Sequence, residues 1–362
     1  MTAPTPRPGI LDISPYVGGE SKIAGVDRIM KLSSNEGALG PSPKALAAYQ
    51  AVGPEMHRYP DGHAVKLRQA IAERYKLDVA RIVCGCGSDE ILQLLARAYA
   101  GPGDEVLFSR HAFIVYPIAA LSAGATPVAA EEVELTASVD NLLSMVTERT
   151  KVLFLTNPNN PTGTYIPASE VKRLRDNLPA HVLLVIDAAY AEYVGRNDYG
   201  DGADMVEGSD NVVMTRTFSK IFGMGGMRVG WAYCPAAIAD VLNRIRGPFN
   251  VSSAALAAAQ AAIEDTAFTD LARRHNDYWL PWLAERMTAL GLEVVPSVAN
   301  FILVRFPAVG KTAKAADAFL RSKGIIVRGV GSYGLPDYLR ITIGPADEVQ
   351  AVAAAIAEFM GA

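Results

Sequence analysis

The sequence predicts an α/β protein with two domains, a large one built on a mostly parallel sheet and a smaller α+β domain. The first observation is length, because a chain of 362 residues is too long for one small core. The second is an alternation of short apolar runs with amphipathic stretches of helical period, which is typical of a parallel sheet covered by helices on both faces. The third is a change of this pattern beyond Phe249.

The alternation begins with a strand at RIVCG (81–85) and a helix at SDEILQLLARAYA (88–100). Four later runs are short, apolar and rich in β-branched residues, as buried strands are. They read EVLFS, KVLFL, HVLLVID and NVVMT, and amphipathic stretches such as PASEVKRLRDNL separate them. These runs predict the sheet of the large domain and the helices that cover it.

After this region, two long helical stretches run from about Ser252 to Leu290, and we expect a kink or a break at Pro281. Short strands and two further helices follow, and the strands read EVV, NFILVRF, IIVR and LRITIG. We therefore predict an N-terminal arm that contributes to the small domain, then the large domain, then the small domain, with bounds 1–35, 36–250 and 251–362.

Composition argues against several classes of protein. The chain has 34 basic and 38 acidic residues, a net charge of −4 and no basic cluster, so an anionic partner should be a small molecule and not a nucleic acid. The N-terminus does not resemble a signal peptide, and the longest apolar stretch, at 254–263, is too short to cross a bilayer. Three cysteines without a secretory signal predict reduced thiols in the cytoplasm. The five histidines lack the spacing of metal ligands, so we expect no metal site.

Three turns that follow strands carry polar side chains suited to a ligand. GCGSDE opens a helix at Ser88 and Asp89, where free N–H groups attract an anion, although an ordinary helix cap fits the same residues. NPNNPTG (157–163) follows a strand directly, at the end of a sheet where ligands bind, although a structural turn is its alternative. Asp187 ends the strand HVLLVID, with Tyr190 three residues later. A buried acid needs a cation, although a capping aspartate fits this position equally well.

A fourth stretch, TRTFSKIFGMGGMRVG, places Lys220 between hydroxyl residues and glycines, with Arg228 eight residues later. An ordinary lysine amine, with a pKa of about 10.4, is protonated at neutral pH and is a poor nucleophile. Burial and nearby positive charge lower that pKa, and such a lysine forms imines with carbonyl compounds. With Arg228 to bind a phosphate and Asp187 to pair with a protonated ring nitrogen, these are the groups that pyridoxal phosphate requires.

Together these motifs resemble those of the fold-type-I aminotransferases that use pyridoxal 5'-phosphate, and within them the histidinol-phosphate aminotransferases. The resemblance extends from about Pro8 to Gly361. NPTG and the spacing from lysine to arginine mark the wider superfamily, whereas SSNE, RYPDG, GSDE and LRITIG mark the narrower branch. The resemblance implies a large domain with a seven-stranded, mostly parallel sheet between helices, a smaller α+β domain, and a cytoplasmic homodimer.

The resemblance also implies roles for individual residues. Lys220 forms the internal aldimine with the cofactor and moves protons during the reaction. Asp187 pairs with the ring nitrogen. Tyr190 is the third residue with a catalytic role. Tyr190 and Asn160 bond the ring hydroxyl oxygen, and Phe113 stacks on the ring.

Two further sets of residues bind the anionic groups. The cofactor phosphate lies among Ser88, Asp89, Thr217, Ser219 and Arg228, joined by Tyr59 from the other subunit. The substrate is held by Arg340, assisted by Arg328, Tyr16 and Asn35. A site shared between subunits follows from the position of Tyr59.

The implied reaction moves an amino group between L-histidinol phosphate and 2-oxoglutarate, giving imidazole acetol phosphate and L-glutamate by a ping-pong cycle. Three positions depart from the common family pattern: the stretch 37–40 after Asn35-Glu36, Ala188, and Phe113 in place of a commoner tyrosine. The first and last bear on substrate contacts. An aromatic-amino-acid aminotransferase and a threonine-phosphate decarboxylase therefore stay open as alternatives.

Overall fold

The structure, a computed structural model, describes residues 4–16, 18–25 and 28–362. The predicted N-terminal arm therefore lies partly outside the described residues, at positions 1–3, 17, 26 and 27. The strands are β1 (Met30–Lys31), β2 (Ile82–Gly85), β3 (Glu105–Ser109), β4 (Thr126–Ala130), β5 (Thr150–Thr156), β6 (Leu183–Asp187), β7 (Val212–Thr217), β8 (Gly230–Tyr233), β9 (Glu293–Val295), β10 (Phe301–Arg305), β11 (Pro307–Ala308), β12 (Lys311–Thr312), β13 (Ile325–Ile326), β14 (Arg328–Val330) and β15 (Leu335–Thr342). The α-helices are α1 (Pro43–Ala51), α2 (Val65–Tyr75), α3 (Ser88–Tyr99), α4 (Val115–Ala123), α5 (Val139–Ser144), α6 (Ala168–Asn177), α7 (Ala203–Glu207), α8 (Ala236–Ile245), α9 (Ser253–Glu264), α10 (Thr266–Ala289), α11 (Ala313–Ser322) and α12 (Ala346–Met360).

Seven strands form the large sheet, in the order β2-β8-β7-β6-β5-β3-β4. The pairs from β7 through to β4 are all parallel, and only β8 runs antiparallel to its neighbours β2 and β7. Alternate residues of each strand face opposite sides: Leu153 and Leu155 lie in one apolar cluster, Val152 and Phe154 in another. The strands are continuous apolar runs because helices cover both faces. This confirms the predicted fold class.

The two faces are covered by different helices. Buried residues of α3, α4 and α8 belong to one cluster, and those of α1, α2, α6 and α9 belong to the other. Helix α9 therefore packs on the large sheet, although the predicted small domain begins at residue 251. The boundary that we predicted between the large and the small domain, at residues 250 and 251, stays a prediction.

Helix α10 continues through Pro281, so the break that we allowed there does not occur, whereas the alternative of a kink stays a prediction. It is assigned as one helix of 24 residues with Pro281 inside it, and the helical region is instead interrupted at Asp265, between α9 and α10. A proline within a helix costs about 3 kcal/mol. Buried Leu283 and Met287, just beyond the proline, pack in the apolar cluster of the second sheet and offset that cost.

The second sheet is antiparallel, with the order β14-β15-β10-β9, and packs against α10, α11 and α12. Strand β1 pairs with β13, and Leu32 after it is buried in the same cluster. The N–H of Thr342, the last residue of β15, donates to the carbonyl of Leu32 at 2.9 Å. Residues 33–36 are thereby held between the two sheets, facing the carboxyl ends of β5, β6 and β7. Within the described residues, no helix has both the length and the apolar character needed to cross a membrane.

Candidate active site

A cavity of about 260 Å³ opens between the large sheet and the antiparallel sheet. Of the fifteen predicted site residues, all but Tyr59 line it: Tyr16, Asn35, Ser88, Asp89, Phe113, Asn160, Asp187, Tyr190, Thr217, Ser219, Lys220, Arg228, Arg328 and Arg340. Tyr59 is 83% exposed, and its ring stacks on Phe249 with 4.8 Å between the ring centroids. The cavity is also lined by residues for which we predicted no role in the site: Thr156, Tyr333, Ser33, Ser34 and Glu36.

Lys220 lies three residues beyond the end of β7, and its side chain enters the cavity. Its Nζ lies 3.4 Å from the carbonyl oxygen of Ser34, to which it donates, and 5.6 Å from the centroid of the Tyr190 ring. Burial, and then the positive charge of Arg340, lower the pKa of Lys220 to about 8. A much larger share of this amine is therefore neutral and nucleophilic at neutral pH than in an ordinary lysine.

Asp187 ends β6 and is only 3% exposed. It accepts hydrogen bonds from the hydroxyls of Tyr116 at 2.9 Å and Thr215 at 3.3 Å. Burial is the main cause that raises its pKa to about 6. A carboxylate whose side-chain hydrogen bonds, among the described residues, come from two neutral hydroxyls is suited to a cationic partner in the cavity, such as a protonated ring nitrogen.

Tyr116 is a site residue that the sequence did not reveal. It is fully buried in α4 and packs edge-on against Phe113, three residues earlier, at a centroid distance of 5.9 Å. Its hydroxyl also bonds Thr156 at 2.5 Å, so it connects β5 to Asp187. The only signal in the sequence was the helical spacing from Phe113, and that spacing describes an ordinary core aromatic equally well.

The first turn of α3 and the residues after β7 form an anion cradle. Arg228 Nη1 donates to Ser219 Oγ at 3.2 Å, and Arg228 Nη2 donates to Asp89 Oδ2 at 3.2 Å. The backbones approach so closely that a Cβ added to Gly230 would lie 2.3 Å from the backbone nitrogen of Ser88. Free N–H groups at a helix N-terminus, hydroxyls and a guanidinium are the donors that a phosphate requires.

Arg340 forms the opposite wall. It is buried in β15, donates to the carbonyl of Ser33 at 2.8 Å and to Oδ1 of Asn160, and its guanidinium lies 5.3 Å from the centroid of the Phe301 ring. Burial lowers its pKa, and its Nε has no hydrogen-bond acceptor among the described residues. Arg328 is its cross-strand partner in the register of β14 and β15. Two arginines at paired positions of one sheet suit a doubly charged anion.

Tyr190 lies between these groups. The amide Nδ2 of Asn35 donates to its hydroxyl oxygen at 2.9 Å, and burial raises the pKa of Tyr190 to about 12. Its hydroxyl is therefore protonated at neutral pH and can donate a hydrogen bond. We predicted Asn35 as a substrate contact; in the structure its amide bonds Tyr190.

A lysine, a buried acid and an anion cradle at the carboxyl edge of a seven-stranded sheet define the class of the protein. Residues 27–356 match the family model of aminotransferase class I and II, so the chain belongs to this family. It is 68% identical to the histidinol-phosphate aminotransferase of Paramagnetospirillum magneticum over the whole of both chains. It is 60% identical to that of Rhodospirillum centenum over 99% of both. Within its class, the chain therefore belongs to the histidinol-phosphate aminotransferases.

Solved structures agree with this assignment. The fold superposes with a TM-score of 0.91 on the histidinol-phosphate aminotransferase from Sinorhizobium meliloti in complex with pyridoxal-5'-phosphate, at 27% identity over 99% of both chains. It also superposes on an aspartate aminotransferase from Thermus thermophilus with maleate, with a TM-score of 0.81 at 22% identity over 91% of both chains. The second likeness concerns the fold alone.

Proposed function

We propose that this protein is a transaminase that moves an amino group between L-histidinol phosphate and 2-oxoglutarate in histidine biosynthesis, with pyridoxal 5'-phosphate as its cofactor. The products are imidazole acetol phosphate and L-glutamate. The observation that carries the proposal is the convergence of Lys220, Asp187 and three arginines in one cavity of a chain similar to histidinol-phosphate aminotransferases along its whole length.

The residues present fit this cofactor. The N–H groups of Ser88 and Asp89, the hydroxyls of Thr217 and Ser219, and the guanidinium of Arg228 supply donors for its phosphate. Beside them, the close approach of Gly230 to the start of α3 leaves no room for a side chain.

Four further side chains would hold the ring. Asp187 would hold a proton on the ring nitrogen, Tyr190 and Asn160 would hydrogen-bond the ring hydroxyl oxygen, and Phe113 would cover one face. When bound, the cofactor supplies an aldehyde that takes up the amino group and a ring that withdraws electrons from the substrate carbon.

Lys220 would first hold the cofactor and then move the proton. Its amine would then take the proton from the α-carbon of the substrate and deliver it to the C4′ atom of the cofactor. A pKa of about 8 suits both steps, because the amine gives and accepts a proton near neutral pH. Asp187 would keep the ring cationic, since its buried carboxylate is stabilised by that charge.

Arg340 and Arg328 would bind the anionic end of each substrate in turn. A guanidinium binds a phosphate and a carboxylate with the same pair of N–H groups. The unpartnered Nε of Arg340 is a donor that such an anion would satisfy. One pocket can therefore accept histidinol phosphate in one half-reaction and glutamate in the other.

We further propose a homodimer in which Tyr59 of each chain reaches the phosphate in the other. What supports this is that Tyr59 lies outside its own cavity and is exposed, together with the apolar side chains of Leu46, Tyr49, Met56 and Phe249. Leu46 and Tyr49 line one surface pocket and Tyr59 stacks on Phe249, and contiguous apolar surface of this kind favours association. Light scattering should give twice the mass of the chain. Tyr59→Ala and Lys220→Ala, each impaired alone, should regain activity when their subunits are mixed, because one site of the hybrid is intact. No recovery in a verified hybrid would contradict the shared site.

We also propose that the protein acts in the cytoplasm. What supports this is that all three of its cysteines are unpaired. Fractionation of cells that express the chain, with a cytoplasmic and a periplasmic marker, tests this.

The function is tested by one half-reaction. The cofactor-loaded protein is mixed with L-histidinol phosphate, L-phenylalanine or L-threonine phosphate separately, without a keto acid, and the visible absorbance and the product are followed. Rapid bleaching by histidinol phosphate, at least tenfold faster than by phenylalanine, is expected. Equal bleaching by phenylalanine would favour an aromatic aminotransferase, and carbon dioxide released from threonine phosphate would favour a decarboxylase. A loaded protein without a visible band would overturn the assignment of Lys220.

A further inference from the structure

The segment that carries Asn35 is held in place from the antiparallel sheet. Asn300, just before β10, donates through Nδ2 to the carbonyls of Asn35 and Glu36, both at 3.2 Å. Asn35 has φ 54°, a left-handed conformation that few side chains other than glycine and asparagine adopt readily. Asparagine accepts this conformation, and the hydrogen bonds from Asn300 hold the segment in it.

The hydrogen bonds of Thr342 determine how the Asn35 amide is oriented. The backbone N–H of Asn35 donates to Thr342 Oγ1 at 2.9 Å. A backbone N–H can only donate, so the hydroxyl oxygen accepts there and its own proton donates to Asn35 Oδ1, at 3.1 Å. With its oxygen turned to Thr342, the amide presents its NH₂ group to Tyr190.

The same reasoning applies to Tyr190. Asn35 Nδ2, which can only donate, lies 2.9 Å from the Tyr190 hydroxyl oxygen, so that oxygen accepts and its proton points elsewhere. Thr342, Asn35 and Tyr190 are 3%, 1% and 2% exposed, so bulk water does not compete.

The charged neighbours of Tyr190 leave one direction for that proton. Arg340 is a donor only, and Lys220 lies over the Tyr190 ring. The carboxylate of Asp187 accepts from Tyr116 and Thr215, and that of Asp89 accepts from Arg228. Among the described residues, no hydrogen bond joins either carboxylate to Tyr190. The cavity is the remaining direction.

We propose that Thr342 and Asn35 are positioning residues that hold Tyr190 as a hydrogen-bond donor toward the cavity, aimed at the ring hydroxyl oxygen of the bound cofactor. This rests on the proposed function, which places pyridoxal phosphate there. Neither residue acts on the substrate. Their effect is on the ring oxygen: a donated hydrogen bond stabilises its anionic form and lowers the pH at which the lysine-bound cofactor takes up a proton.

The test is a spectroscopic titration without substrate. Wild type, Thr342→Val and Thr342→Ser are loaded with pyridoxal phosphate, and the visible absorbance is followed against pH. Valine keeps the shape of threonine but removes the hydroxyl, so the midpoint should rise by about half a pH unit to one unit, the equivalent of one hydrogen bond. Serine keeps the hydroxyl and should keep the wild-type midpoint.

We call the hydrogen bonds that lead from Thr342 through Asn35 to Tyr190 the relay. A double variant separates the relay from a general structural effect. On a Tyr190→Phe background, Thr342→Val should produce no further rise, because the relay acts only through the Tyr190 hydroxyl. The matched control is Thr269→Val, which removes another buried hydroxyl, in α10 and outside the cavity lining, and should leave the midpoint unchanged.

Asn35→Asp provides a second route if Thr342→Val folds poorly, as judged by circular dichroism. A carboxylate cannot donate to Tyr190, so the Tyr190 proton turns toward it and the midpoint again rises. An unchanged midpoint in folded Thr342→Val, or an equal rise on the Tyr190→Phe background, would overturn the relay. Absence of a visible band in the loaded wild type would instead overturn the proposed function.

Discussion

Replacing Asp187 with asparagine should stabilise the protein when no cofactor is bound. Burial raises the pKa of Asp187 from 3.8 to about 6 in the folded chain. The difference of about 2.2 pH units corresponds to about 3 kcal/mol, at about 1.36 kcal/mol per unit. A carboxylate that is costly in the folded state is a sign of a group placed for binding and not for stability.

The sign follows from proton linkage. Because the folded chain binds this proton more tightly than the unfolded chain, the stability from Asp187 is full below pH 3.8 and is lost as the pH rises to about 6. Asn at this position keeps an oxygen that can accept from Tyr116 or Thr215 and carries no charge. The variant should therefore exceed the wild type by up to about 3 kcal/mol above pH 6, with a difference that shrinks toward pH 4.

The assay is unfolding of the cofactor-free proteins between pH 4.5 and 8. At an unfolding entropy of about 2.1 cal/mol/K per residue, 3 kcal/mol in a chain of 362 residues raises the Tm by about 4 °C. With pyridoxal phosphate added, the wild type should gain more stability than the variant, because the ring cation compensates the carboxylate. Equal Tm values at pH 7.5, or a difference that does not change with pH, would refute the reasoning.

Three other predictions concern Lys220, Gly230 and Arg216. Cyanate should modify Lys220 in the cofactor-free protein at a rate that rises with a midpoint near pH 8. At pH 7 the reaction should be more than about a hundredfold faster than that of an ordinary peptide lysine. Mass spectrometry of the modified peptide measures the rate, and a midpoint above pH 10 would contradict the prediction. Gly230→Ala should weaken cofactor binding at least tenfold in equilibrium dialysis, because its Cβ would lie 2.3 Å from the first amide nitrogen of α3, whereas Gly226→Ala meets nothing within 4 Å and should bind normally. Arg216→Met should cost about 3–5 kcal/mol in urea unfolding, because it removes the guanidinium that pairs with buried Glu192 at 2.8 Å and with Asp201. The double variant with Glu192→Leu should recover part of that loss, since Asp201 still lacks its partner, and no recovery would place the cost elsewhere.

Much of the site could be predicted because of the parallel sheet. Loops at the carboxyl ends of neighbouring parallel strands meet at one edge, so NPNNPTG, Asp187 and Lys220 had to lie close together once β5, β6 and β7 were recognised. The placement of α9 could not be predicted in the same way. Its alanine-rich period shows that it buries a face, but not which of the two cores receives that face.

The roles of Tyr116 and Pro281 depend on contacts that the sequence does not display. The sequence around Tyr116 is that of a core helix, and its hydroxyl becomes informative only because Asp187 lies 2.9 Å away, 71 residues further along the chain. Pro281 disfavours a helix locally, yet α10 continues because buried residues on both sides of it pack against other elements.

The sequence by itself determined the order of strands and helices, and which residue types could hold a phosphate, a ring cation and a carbonyl group. Those properties depend on local periodicity and on side-chain chemistry, which a linear chain displays directly. The tertiary structure decided the properties that depend on contacts between distant residues. Asn35 and Thr342, 307 positions apart, orient the Tyr190 hydroxyl, and burial beside Arg340 gives Lys220 its low pKa. Burial and hydrogen-bond direction are properties of a packed interior, and they exist only once the two sheets enclose the cavity.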